Sequence, residues 1–160
     1  WGDPLPSGAV PGKLSLPRGA GFMPIVPRAT SDYKAAGLSA EARRQELHGP
    51  LDLVLLGMGA DGHTASIFPG PDYDEALNGP KERRALGLMP EPLPPEAPVA
   101  RVTLSRAGIV SARSIMFAIS GPAKKKVLED AIKEGASSPY PVGRVLAEVE
   151  LPIDIHWSEQ

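Results

Sequence analysis

Leu51-Asp52-Leu53-Val54-Leu55-Leu56-Gly57-Met58-Gly59 is the stretch that decides the fold. From Leu51 to Leu56 every residue but Asp52 is apolar, the run has the length of a strand rather than a helix, and it ends in glycines. A strand that is apolar at consecutive positions calls for cover on both faces, as the central strand of a parallel sheet has. Residues 51–56 are therefore expected to be that central strand.

Working outward, Pro69 to Pro98 holds eight prolines and a charge cluster around Lys81 to Arg84, and reads as an excursion over the surface. Arg101-Val102-Thr103-Leu104 and Ser114 to Ile119 are strands by their β-branched content, separated by a short helix around Ala107 to Ala112. Pro122 suits the first position of a helix that sets Val127, Leu128, Ala131 and Ile132 on one face and stops at Gly135. Val149 to Trp157 alternates roughly, as an edge strand does. Upstream, Thr30 or Ser31 can cap a helix through Tyr33, Ala36, Leu38, Ala42 and Leu47 that stops at Gly49-Pro50. Residues 1–27, with six prolines and five glycines, leave room for loop and one short strand. This β-α alternation predicts an α/β fold with a mainly parallel sheet and helices on both faces, in a single domain spanning residues 1–160.

With 160 residues, 42% of them hydrophobic, the chain can bury one core and has no room for two ordinary domains. The 17 Lys+Arg against 19 Asp+Glu give a net charge of -2, which supplies no general field for nucleic acid or an anionic membrane, so any anion site must be local. Cysteine is absent, which excludes disulfides and thiolate metal sites and fits a reducing, cytoplasmic setting. No apolar window reaches the length of a transmembrane helix. The opening from Trp1 lacks a signal-peptide pattern, and we expect that the chain does not begin where its gene does.

The densest chemistry is Gly57-Met58-Gly59-Ala60-Asp61-Gly62-His63-Thr64-Ala65-Ser66-Ile67-Phe68-Pro69-Gly70. Ligands of open α/β sheets bind at such strand ends. Gly57, Gly59 and Gly62 match G-x-G-x-x-G, but Pro69 falls too soon after Gly62 for the long helix of a dinucleotide site. The glycines instead let backbone N-H groups approach a ligand, while Asp61 and His63 enter the same cleft. An imidazole beside a carboxylate suits general acid/base work on an ester or ring oxygen. Local pattern alone equally allows His63 to cap a short helix and Asp61 to stabilise the turn.

Lys124, Lys125 and Lys126 occupy the first turn of the helix after Gly121, where the macrodipole disfavours cations. A bound anion would compensate, and so would lysines that point away into water. Arg101, at the opening of its strand, either faces a ligand or covers the sheet edge. Arg144 follows Tyr140-Pro141-Val142-Gly143 in a loop near the pocket, and His48 and His156 are read as structural. Three scattered histidines without cysteine make no metal site.

The run from Leu53 to Gly70, with the fourteen consecutive positions from Gly57 at its heart, resembles the signature of the 6-phosphogluconolactonase family. Glucosamine-6-phosphate deaminases share the G-x-G-x-D-G-H turn but continue toward a glutamate where Phe68 stands here, so Thr64 to Gly70 favours the lactonase. The resemblance continues through Arg101 to Leu104 and Gly121 to Lys124, whereas the first thirty residues match poorly. It implies a three-layer α/β/α fold of the deaminase and ribose-phosphate isomerase type. It also implies a cofactor-free, metal-free hydrolase of a sugar-phosphate lactone, monomeric or weakly oligomeric. Within that resemblance His63 is the acid/base residue with Asp61 as its neighbour. Gly59, Gly62, Arg101 and Lys124 then meet the substrate, with Lys124 on the phosphate side and Lys125 and Lys126 toward solvent. His63 would either activate water or protonate the departing ring oxygen.

Two other functions remain in play: an isomerase or deaminase acting on an amino-sugar phosphate, and a degenerate sugar-phosphate-binding protein. The latter draws on the lack of an upstream S-G-G-[ST] loop and D-E-R segment, of which Trp1-Gly2-Asp3 would be a remnant. A parallel sheet made only of these strands would leave residues 51–56 with an unfilled neighbour position, so an upstream segment or loops are expected to be missing.

Overall fold

The structure is a computed structural model that describes residues 32–47 and 49–159. In chain order its elements are α1 (Tyr33–Gln45), β1 (Val54–Leu56), α2 (Tyr73–Asn78), β2 (Ala85–Leu88), β3 (Arg101–Leu104), α3 (Arg106–Val110), β4 (Ile115–Ser120), α4 (Pro122–Glu134), α5 (Pro141–Leu146) and β5 (Ile153–Ser158). The strand expected within residues 1–27, the Trp1-Gly2-Asp3 remnant and His48 lie outside the described residues.

The parallel sheet has the order β1-β4-β5, and β2 and β3 form a separate antiparallel pair. Among the described residues the central strand is therefore β4, with residues 54–56 at the sheet's edge, which is not the place expected for residues 51–56. β4 sends Ile115, Phe117 and Ile119 into the core and is paired on both edges. Removing the fully buried Phe117 ring to alanine would cost about 3–5 kcal/mol. β1 buries Val54 and Leu56, yet Leu53 and Leu55 are 52% and 63% exposed. Consecutive apolar residues report what both faces prefer, and among the described residues only one of those faces is covered.

α1 starts one or two residues later than expected, because Asp32 rather than Thr30 or Ser31 is the cap and accepts from the Lys34 and Ala35 N-H groups at 2.9 and 3.1 Å. Its buried face is Ala36, Gly37, Ala40 and Glu41, while Leu38 points to solvent. Gly37 lets the helix sit directly on β2, since a Cβ there would strike the Gly87 backbone. Glu41 completes the contact: its carboxylate accepts the Arg84 and Ala85 N-H groups at 2.9 and 2.7 Å and pairs with Arg44.

The proline-rich stretch is thus not all surface. Within it α2 forms, and β2 is buried at every position and pairs with β3, so Arg101–Leu104 is a strand but not of the parallel sheet. α4 does start at Pro122 and stop at Gly135, which adopts φ +57°. Leu128 and Ala131 face the core as expected, whereas Ile132 is 47% exposed. Among the described residues β5 lies at the sheet's edge, as expected. α5 was not anticipated; Pro141 opens it and it buries Val142, Val145 and Leu146.

Because β1 and β4 are parallel, their carboxyl ends share one edge of the sheet. The glycine turn leaves that edge after β1, and Gly121 and the start of α4 leave it after β4.

Candidate active site

No helix follows the glycines. Residues 57–70 fold into a tight loop organised by Thr64, which is fully buried, bridges both Met58 and Ile67, and donates its hydroxyl to the Gly57 carbonyl at 2.9 Å. The Gly59 N-H donates to the His63 carbonyl at 3.0 Å and the Gly62 N-H to the Gly59 carbonyl at 3.1 Å. The Ser66 N-H is held by Thr103 Oγ1 of β3 at 3.0 Å, and Ala65 between them takes φ +50°. A non-glycine residue in that region persists only where its surroundings over-determine it, as these bonds do.

The knot brings Asp61 and His63 together. Asp61 Oδ1 lies 2.5 Å from His63 Nδ1 and also accepts the His63 N-H at 3.3 Å. An ionised carboxylate can only accept, so the ring proton sits on Nδ1 and Nε2 is left as the basic nitrogen. Among the described residues Nε2 has no hydrogen-bond partner. Gly59 must be glycine for this pair to exist, because a Cβ there would overlap both the imidazole and the carboxylate. The His63 ring stacks on Phe68 with centroids 4.1 Å apart and planes at 24°. The Arg101 guanidinium lies 5.6 Å from the Phe68 centroid and donates to the Ala97 carbonyl at 2.7 Å.

These groups open into a cleft of about 650 Å³. Gly59, Asp61, His63, Ser66, Phe68 and Arg101 line it together with the proline-rich segment 91–97. Ser66, Phe68 and that segment were not singled out as cleft residues, because only the folded loop places them there. The spacing of the prolines carried no signal of it.

The other candidates lie apart from the cleft lining. Gly62 is buried, takes φ +79°, and packs against the Tyr140 ring while its carbonyl accepts the Val142 N-H at 2.9 Å. Lys124 sits in the first turn of α4, half-buried and without an ion-pair partner among the described residues. Its neighbours are engaged: Lys125 lies 4.6 Å over the Trp157 ring and 4.0 Å from Glu129, and Lys126 pairs with Asp130 at 2.8 Å. Gly121, the cap of α4, takes φ +84° with open space beside it. Arg144 is within α5, not a loop, and donates to the Ser138 carbonyl at 2.7 Å with its guanidinium 5.8 Å from the Tyr73 centroid. Burial pushes the Tyr73 hydroxyl up, and Arg144 offsets part of that. His156 is exposed on β5. Among the described residues no three His, Asp or Glu side chains converge as metal ligands, and no helix is long and apolar enough to cross a membrane.

Residues 10–157 match the family model described as glucosamine-6-phosphate isomerases/6-phosphogluconolactonase. The chain is 34% identical over 140 residues to the 6-phosphogluconolactonase of Rhizobium meliloti strain 1021, covering 87% of this chain and 58% of that protein. It is 37% identical over 139 residues to that of Pseudomonas aeruginosa PAO1, covering 86% of this chain and 55% of the relative. A crystal structure of a 6-phosphogluconolactonase from Shewanella baltica OS155 superposes with a TM-score of 0.68 at 31% identity, over 80% of this chain and 53% of that one. The chain thus spans little more than half the length of these proteins, and it shares with them a three-layer α/β/α fold built on a mainly parallel sheet. It belongs to the glucosamine-6-phosphate isomerase/6-phosphogluconolactonase family.

Proposed function

We propose that this protein hydrolyses 6-phospho-D-glucono-1,5-lactone to 6-phospho-D-gluconate, the lactonase step of the pentose phosphate pathway. The observation that carries the reading is the Asp61-His63 pair, set on a glycine loop at the carboxyl end of a parallel strand and opening into a cleft. Asp61 orients the imidazole, and Nε2 of His63 takes a proton from water as the water oxygen bonds to the lactone carbonyl carbon. When the carbon-to-ring-oxygen bond breaks, the same proton passes from Nε2 to the departing oxygen, leaving acid and alcohol.

Negative charge develops on the carbonyl oxygen in between. The Gly59, Gly62 and His63 N-H groups are spent inside the loop, so the Ala60 and Asp61 N-H groups, unengaged among the described residues, are the donors left for it. Gly59 admits the substrate close to the pair, and Gly62 serves by shaping the turn. Arg101 binds from the cleft wall. Lys124 and the free N-H groups at the start of α4 take the phosphate, which accounts for a lysine left unpaired beside two paired ones.

The test is substrate choice. The protein should accelerate acid release from the phosphorylated lactone above its spontaneous rate and release no ammonia from glucosamine 6-phosphate. Ammonia release without lactone hydrolysis would assign it to the deaminase branch of the family.

A further inference from the structure

The hydrogen bond to Asp61 fixes one atom of the His63 ring, not the plane of the ring. Asp61 is a weak anchor by itself, since its side chain is 56% exposed against 29% for His63. The second constraint is Phe68. It is 6% exposed, belongs to the core cluster, and presents a near-parallel face to the imidazole. Stacked rings attract one another beyond the area they bury, and the attraction acts on orientation. The Arg101 guanidinium approaches the same ring.

The course of the loop is set by bonds besides the packing of Phe68. Thr64 and the Ser66-Thr103 bond fix the backbone on both sides of Ala65, and the Glu91 N-H bonds the Pro69 carbonyl at 2.8 Å just beyond it. The backbone on both sides of Phe68 is thus tied by bonds other than its ring, while the ring itself lies against the imidazole plane.

We infer that Phe68 is a positioning residue for catalysis: its ring is the plate that aims His63 Nε2 into the cleft while Asp61 holds Nδ1. This rests on the lactonase function proposed above. A ring-free substitution leaves the imidazole free to turn, so the fraction of molecules with Nε2 aimed at the substrate drops and binding is spared.

Phe68→Leu and Phe68→Met remove the plate and keep most of the apolar volume, and Phe68→Tyr restores the plate. The parent and variants are compared in lactonase kcat and KM and in the ¹⁵N-¹H correlations of the His63 imidazole, assigned with His63→Ala. Expected are a kcat about tenfold to a hundredfold lower for the Leu and Met variants with KM nearly unchanged, and recovery in Phe68→Tyr. The imidazole should be a fixed Nδ1-H tautomer in the parent and in Phe68→Tyr, and a tautomer mixture in the other two. Parent kcat and a fixed tautomer in either ring-free variant would overturn the inference, as would a failure of Phe68→Tyr to recover both. If the parent hydrolyses no lactone, the proposed function falls, and the imidazole signals alone decide the role of Phe68.

Discussion

Gly59→Ala asks the most of the site geometry for the smallest chemical change. A Cβ built on Gly59 comes within 3.0 Å of His63 Nδ1, His63 Cε1 and Asp61 Oδ1, whereas ordinary contact begins at 3.4 Å. Both obstructing groups are side chains with access to solvent, so they retreat rather than force the backbone apart. The retreat is about 1 Å, and a misplacement of that size costs on the order of 10²-fold in rate. Gly57→Ala is the matched control two residues earlier, because its Cβ would meet only the Ala118 carbonyl oxygen at 3.8 Å. The assay is acid release from the phosphorylated lactone by pH-stat, with thermal melting alongside. Gly59→Ala should lose about 10²-fold in kcat at a nearly unchanged melting temperature. Gly57→Ala should keep parent activity. A Gly59→Ala protein with full kcat would show that the pair does not need this close approach, and the reasoning would fail.

Three further outcomes follow from the same geometry and packing. Asp61→Asn should lower kcat less than loss of the imidazole does, since an exposed hydrogen bond orients His63 but transfers no proton itself; rapid-mixing kinetics compare the two. Lys124→Ala should raise KM for the phosphorylated lactone more than for an unphosphorylated one, and equal effects on both would move the phosphate away from α4. Burial pushes the Glu41 carboxyl up, but bonds from Arg44, the Ala85 N-H and Gln45 outweigh it and hold it below its ordinary value of 4.5. A depressed carboxylate contributes stability that is full above the ordinary value and is lost as pH falls through the lower folded one. Thermal melts should therefore drop below about pH 4.5, and Glu41→Gln should cost about 1–3 kcal/mol at pH 7 and flatten that part of the acid slope.

The parts of this structure written in local chemistry were legible in the sequence. Pro122 and Gly135 bracket α4 because a fixed φ starts a helix and a positive φ ends one. Ser114 to Ile119 marks β4 by its β-branched content, and Asp61 and His63 meet because two residues on a glycine turn can scarcely avoid each other. What was not legible depends on distant partners. β2 lies between charged and proline-rich neighbours and is stabilised by Glu41, more than forty residues upstream, which takes the N-H groups at its start. β1 looked central because its residues are apolar, but strand order is decided by pairing, and among the described residues β4 is the strand paired on both edges. The stack of His63 on Phe68 needs the loop to double back through Thr64, and no periodicity in the sequence announces it.

The central claim is that His63 moves the proton in lactone hydrolysis, and the measurement closest to it is the lactone hydrolysis rate of the parent beside His63→Ala, corrected for spontaneous opening. His63 is at the surface of the cleft rather than in the core, so the variant should stay folded by circular dichroism. The account predicts clear acceleration by the parent and a loss of about 10²- to 10⁴-fold in the variant. A folded His63→Ala protein that hydrolyses the lactone as fast as the parent would contradict it.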